Sequence, residues 1–176
     1  MKLQPSLEKL VLLKEQTVSL GVTTGEPIMS DINTQNGGYD LSRFINAQQR
    51  DFKTALAEIK SGQKRTHWIW YIFPQLGGLI RNPSSTSQYY AIADIGEARA
   101  FLADAYLGGN IREISNALLE LDTNYAYAVV GRDSVKLQSS MTLFAAADEN
   151  ETVFKAVLDK FFNGRADRKT LRLLGL

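Results

Sequence analysis

The chain has 176 residues, 44% of them hydrophobic and 22% charged, enough for one ordinary globular domain with a real interior. Lys and Arg number 20 against 19 Asp and Glu, so no global field points to nucleic acid or to a membrane surface. With no cysteine and a single histidine, disulfides, thiolate nucleophiles and Cys-based metal sites are excluded, and neither a metal centre nor a cofactor is expected.

Residues 2–20 read as a helix. Pro5 suits a first turn, Leu3, Leu7, Leu10 and Val11 share a face, and Gly21 follows as a stop. Glu8, Lys9, Lys14 and Glu15 interrupt the apolar residues, so the segment lacks the unbroken core of a signal peptide, and no run reaches membrane-spanning length. A cytoplasmic protein without membrane association is expected. From Gly21 to Gly38, Thr, Gly, Asp and Asn dominate, with Pro27 and the Asn36-Gly37-Gly38 turn signal, which is the composition of a linker. The expected division is an N-terminal helix and linker over 1–38 and a main domain over 39–176.

Asp40 is placed to cap a helix from Leu41 to Ser61, whose stripe of Leu41, Phe44, Ile45, Phe52, Ala55, Leu56 and Ile59 stops at Gly62. Gln48 lies on that stripe with Asp51 beside it, either as a satisfied hydrogen-bond node or as part of a pocket wall. Next comes the stretch from Lys64 to Gly78, which holds both tryptophans and the histidine. Its run from Trp68 to Phe73 is aromatic or β-branched throughout and has to be covered on both sides. The stretch is therefore central, and chemistry could sit at its polar ends. Such a run suits either a strand or a helix. Because no period-2 segment elsewhere offers a partner strand, a short helix capped by Thr66 and ended by Pro74 is expected.

Residues 81–88 read as a polar loop, and Tyr89 to Ile92 as the start of another short helix. Asp94 with Glu97 makes a capping-box start for a helix through Ala103, which Leu107-Gly108-Gly109 breaks. Ile111, Ile114, Leu118 and Leu121 mark a helix over 111–121, and Tyr125 to Val130 a shorter one. Asp133 caps a helix whose face is Leu137, Ser140, Met141 and Phe144. Thr152 to Phe162 and Asp167 to Leu174 complete the chain, ended by Gly164 and Gly175. With no internal repeat, the expected fold is all-α: a single compact multi-helix domain with an extra N-terminal helix.

His67 is the natural candidate for proton transfer near neutral pH, and equally a core histidine bonded to a carbonyl. Trp68 and Trp70 cannot face the same way on a helix, so one packs in the core while the other is free to stack on a base or ring. Lys64, Arg65 and Arg81 flank the stretch as a phosphate-binding rim or as ordinary surface cations. Lys136, Ser139 and Ser140, near a helix start, would help hold an anion there, or are a solvated lysine and two helix-tolerated serines. Asp51 is the best placed carboxylate, as a base or sugar-hydroxyl partner. One histidine on a helical scaffold disfavours a Ser-His-Asp triad.

The blocks Asp40-Leu41-Ser42-Arg43-Phe44 with Ala47-Gln48, Lys64-Arg65-Thr66-His67-Trp68-x-Trp70-x-Ile72-Phe73-Pro74-Gln75-Leu76, Tyr90-x-Ile92, Glu97-Ala98-Arg99-Ala100, Leu107-Gly108, Lys136-Leu137-x-Ser139-Ser140-Met141-Thr142-Leu143-Phe144 and Thr170-Leu171-x-Leu173-Leu174 run in order from about residue 39 to the C-terminus. In that order they resemble the bacterial family catalogued as domain of unknown function 1810, some of whose members carry the label "calpastatin". The resemblance implies a mainly α-helical single domain. Gln75 and Tyr90, matched positions in this pattern, join the candidate ligand-binding residues. Two departures stand out: Asp104-Ala105 replaces a frequent His-Pro, and the loop after Gly78 is reshaped while Arg81 keeps a cation.

Two functional readings follow. In one, a pocket at the central stretch handles a small phosphorylated or nucleotide-like molecule. Its order of cations, aromatics and the Lys-Ser-Ser-Met block is similar, at the level of fold and composition, to helical proteins proposed to cleave N-glycosidic bonds of ADP-ribose derivatives. In the other, the domain is a non-enzymatic module for a protein partner, and the matched residues hold its core.

Overall fold

The computed structural model describes residues 37–176; the helix expected over 2–20 and nearly all of the linker lie outside the described residues. Those described form helices, with no strand among them. In chain order these are α1 (Ser42–Lys60), α2 (Ile69–Ile72), α3 (Ser85–Tyr89), α4 (Ile95–Ala103), α5 (Ala105–Leu119), α6 (Ala126–Val130), a 3₁₀ turn (Gly131–Asp133), α7 (Ser134–Ala147), α8 (Thr152–Phe162) and α9 (Arg168–Leu174). The expected all-α domain is what forms. None of these helices is long and apolar enough to cross a membrane.

The core is built around α7, which α4, α6, α8 and α9 all contact. Its buried residues run right round the helix, Leu137, Met141 and Phe144 on one side and Thr142, Leu143 and Ala145 on others, as a helix covered on every side requires. A spine of fully buried phenylalanines ties four helices together. Phe44 of α1 meets Phe101 of α4 edge-on at 5.2 Å, Phe101 meets Phe144 of α7 at 5.3 Å, and Phe144 meets Phe154 of α8 at 5.7 Å. Rings at these spacings add to the area they bury.

Local capping explains where the sequence reading of the elements holds and where it fails. Asp94 caps α4 by accepting from the Glu97 N–H (2.9 Å), while the Glu97 carboxylate turns back to the Ala93 N–H (2.7 Å) and pairs with Arg43 of α1 (2.6 Å). Asp40 acts one residue further out than expected, accepting from Ser42 N–H at 2.9 Å, with Leu41 at the cap position. The helix expected from Tyr89 instead ends there. Ser84, accepting from Ser87 N–H, starts α3 inside what reads as a loop, and Ile92 leaves the helix to pair with Leu76.

The break expected at Gly108-Gly109 falls at Asp104, which caps α5 through Tyr106 and Leu107 N–H, and α5 runs through both glycines. Gly108 serves packing. A Cβ there would fall inside contact distance of the Leu102 carbonyl and 2.7 Å from an Arg112 nitrogen, so its absence lets the end of α4 lie against α5. Gly108→Ala should therefore destabilise the fold by about 2 kcal/mol, an overpacking cost that outweighs Ala's better helix propensity. Chemical denaturation checks this, and an unchanged midpoint would mean that α4 and α5 separate freely.

Candidate functional site

The loop entering the central stretch is organised by Glu58, in the last turn of α1 and only 8% exposed. Its Oε2 accepts from Arg65 N–H (2.8 Å), Thr66 N–H (3.1 Å) and the Trp68 indole N–H (2.8 Å), and its Oε1 accepts from the Thr66 hydroxyl (2.8 Å). Burial by itself would raise this carboxyl's pKa. The hydrogen bonds from Arg65, Thr66 and Trp68 more than offset it and bring the value from 4.5 down to about 2. Trp68 is 1% exposed, with its indole N–H satisfied by this carboxylate. Thr66, expected as a helix cap, instead serves this carboxylate, and α2 starts without a side-chain cap.

A second anchor holds the same loop from the other side. Lys64 donates its N–H to Val129 O (2.7 Å), and its ammonium pairs with Asp133 (2.8 Å), which Lys136 also contacts (2.7 Å). Burial pushes the Asp133 carboxyl up, and the hydrogen bonds from Lys136 and Lys64 outweigh it, leaving a net lowering. Asp133 thus bonds two lysines instead of capping α7, which has no side-chain cap. The lysines also lie over the tryptophans, Lys64 at 5.1 Å from the Trp68 ring and Lys136 at 4.7 Å from the Trp70 ring.

Gln48 is a satisfied node. Buried at 1% exposure, it donates to Tyr71 O (2.7 Å) and accepts from Asn110 (2.9 Å), joining α1, α2 and α5. Asp51, half-buried beside it, accepts from the Tyr71 hydroxyl at 2.6 Å. Burial, followed by this hydrogen bond, raises the Tyr71 phenol well above its ordinary value. The Tyr71 ring stands 5.0 Å from that of Tyr90, the next aromatic toward the surface.

Beyond Tyr90 a cleft opens along the exit of the central stretch. The segment from Gln75 to Gly77 is fixed by bonds from Ile92 N–H to Gln75 O and from Gly77 N–H to Ile92 O, both 2.8 Å. The cleft measures about 190 Å³ and is lined by Trp70, Gln75, Leu76, Gly77, Gly78, Leu79, Ile80, Pro83, Ser87, Gln88, Tyr90 and Ala91. Two aromatic rings and three side chains able to hydrogen-bond face it, and no carboxylate, lysine, arginine or histidine is among its lining.

Of the residues singled out from sequence, Trp70, Gln75 and Tyr90 meet at this cleft, and Lys136 lies over the Trp70 ring while bonded to Asp133. Asp51 does not line the cleft; it is bonded to Tyr71, whose ring stands against Tyr90. His67, Arg65 and Arg81 are exposed and do not line it, and Lys64 is committed to Asp133. Ser139 is buried and donates to Val135 O (2.9 Å), as helical serines do, and lies 3.3 Å from an Asp167 oxygen. Ser140 is fully buried, and its hydroxyl has no partner among the described residues. Ser140→Ala should therefore leave stability unchanged or raise it by up to about 1 kcal/mol, read by thermal melting; a clear loss would mean that the hydroxyl is bonded.

Glu58 was not singled out. The signal for it is the buried indole, which needs an acceptor, together with a carboxylate beside the apolar stripe one turn before Gly62. Among the described residues no group of three or more His, Asp or Glu is arranged to hold a metal ion.

These features define a helical domain with a small aromatic cleft beside its central motif. The model of the family described as "Protein of unknown function (DUF1810)" matches residues 38–174, and the chain belongs to that family. It is also similar to the crystal structure of the conserved hypothetical protein Rv1873 from Mycobacterium tuberculosis. The two are 37% identical with a TM-score of 0.75, over 78% of this chain and 98% of that one. No curated protein matches the chain.

Proposed function

We propose that the domain binds a small planar heterocycle of the nucleobase type in the cleft between Trp70 and Tyr90. The observation that carries this reading is the lining: the aromatic side chains Trp70 and Tyr90, Gln75, Gln88 and Ser87 for the polar edge of a ring, and no ionised group. At about 190 Å³ the cleft is smaller than the roughly 300–1,000 Å³ of sites that enclose a drug-sized ligand. It suits a ring held inside with its sugar and phosphate outside, on the side of the exposed Arg81, which follows the lining residue Ile80. The reading is of binding rather than hydrolysis, since cleavage of an N-glycosidic bond needs a carboxylate at the sugar, none lines the cleft, and Asp51 is bonded to the Tyr71 hydroxyl.

The two tryptophans supply the test. Trp68 is sealed in the core and Trp70 is half-buried at the cleft, so a stacked ligand should quench the Trp70 share of the fluorescence. Titration with adenosine, AMP, ADP-ribose and NAD should give saturable quenching that is lost in Trp70→Phe, with a matching rise in Tm. Absence of both signals at millimolar ligand defeats the reading. A protein-interaction module is the second reading, favoured by Ile80 (43% exposed), Tyr89 (59%) and Leu173 (50%). Ile80 lines the cleft, and Leu173 packs against Gly78 beside it.

A further inference from the structure

Two surfaces are unlike the rest of this nearly neutral chain. At the C-terminal end, Arg165, Arg168, Lys169 and Arg172 are exposed within a few residues, against a single carboxylate, Asp167. Asp167 is already occupied, accepting from Thr170 N–H (3.0 Å) and the Thr170 hydroxyl (2.6 Å). The ion pairs of the described residues use Arg43, Arg50, Lys64, Arg112 and Lys136, and none of these four cations. Beside them runs an open groove of about 440 Å³ between α7, α8 and α9, whose apolar lining includes Ala145, Ala146, Leu158, Leu171 and Leu176. Leu176 is 74% exposed. Lys155 stands on the α8 wall with Glu149 and Asp159, so the positive charge is concentrated on the α9 side.

The other surface has the opposite character. From Glu113 to Val130 the chain carries no lysine or arginine, and Glu113, Glu120 and Asp122 are all exposed. Directly after them Tyr125 and Tyr127 stand 63% and 51% exposed, their rings 6.1 Å apart. Lys160 of α8 donates to the carbonyls of Leu118, Leu119 and Leu121, and none of the ion pairs of the described residues uses Glu113, Glu120 or Asp122. Exposed tyrosines that follow a run of exposed carboxylates, and an apolar groove flanked by the exposed cations of α9, are opposite in sign.

We infer that these surfaces are the two halves of one head-to-tail contact between copies of this chain. Tyr125 and Tyr127 of one copy enter the groove of the next, and Glu120 and Asp122 face Arg168 and Arg172. Because the two patches differ, the contact is heterologous and propagates as a ring or an open chain rather than closing as a symmetric dimer. Its charges are exposed, so the association is of the weak, salt-screened kind.

Sedimentation of the full chain over a concentration series tests this. At low ionic strength the average mass should climb above the 19.6 kDa of one chain, and in about 0.5 M salt, where the Debye length is only a few ångströms, it should fall back. Arg168→Glu with Arg172→Glu should hold the chain at one-copy mass, as should Glu120→Lys with Asp122→Lys, each with wild-type circular dichroism. An equimolar mixture of these two variants should regain association, since each keeps the half that the other lacks. One-copy mass for the wild type at every concentration overturns the inference. So does association that survives both reversals, or a mixture that stays at one-copy mass.

Discussion

Glu58→Ala is expected to destabilise the fold by about 4 kcal/mol at neutral pH. The substitution strands the Arg65 and Thr66 N–H groups and the Trp68 indole, which are held around a carboxylate largely removed from water. Glu58→Gln separates charge from geometry. Its amide oxygen can take the place of Oε2, and its NH₂ can donate to the Thr66 hydroxyl, which rotates to accept. The cost should then be about 2 kcal/mol, the charged share of the interaction.

The same group sets a pH dependence with a definite sign. Its pKa falls from 4.5 to about 2 on folding, so the unfolded chain takes up the proton first as pH drops. The stabilisation is complete above pH 4.5 and is lost as pH falls toward 2. At about 1.4 kcal/mol per pKa unit the wild type should lose about 3 kcal/mol across this window through Glu58 alone. Denaturation midpoints measured at pH 7, 4 and 2.5 should converge for wild type and Glu58→Gln. A constant gap between them would show that the Glu58 pKa does not change on folding.

How far the sequence could be read follows from which interactions are local. The helices α1, α4, α8 and α9 each announce themselves by a stripe or a cap within a few residues, and the structure reproduces them closely. The start of α3 turns on one serine hydroxyl, and the passage of α5 through Gly108 turns on the Leu102 carbonyl of the preceding helix; glycine in sequence does not say whether it ends a helix or lets another chain segment approach. Gln48 was legible as a polar residue on an apolar face, but its partners, Tyr71 O and Asn110, are set by tertiary packing. Glu58 was hidden because it looks like any glutamate near the end of a solvated helix. The cleft is also a product of packing, since Ile80, Pro83 and Gln88 reach it only once Ile92 pairs with Leu76.

Trp68→Ala and Trp70→Ala should divide stability from binding. Trp68 has 1% of its surface exposed, packs on Phe73 at a ring separation of 6.3 Å, and donates to Glu58. Its removal leaves a cavity of nearly indole size and strips one donor from a carboxylate that depends on its donors, for an expected loss of about 4 kcal/mol. The Trp70 ring is half-buried between Lys136 and the cleft, so truncating it should cost only about 1–2 kcal/mol in packing and cation–π contact while removing a stacking face of the proposed site. Coupling gives a stricter measure. Glu58→Ala and Trp68→Ala delete two ends of one hydrogen bond and open the same part of the core, so the double variant should lose about 1–3 kcal/mol less than the sum of the singles. Glu58→Ala with Trp70→Ala should be nearly additive, because Trp70 makes no bond to that carboxylate. Urea denaturation of the six proteins, wild type included, resolves both cycles, and a Trp70 coupling as large as that of Trp68 would mean that the cleft and the Glu58 loop move as one unit.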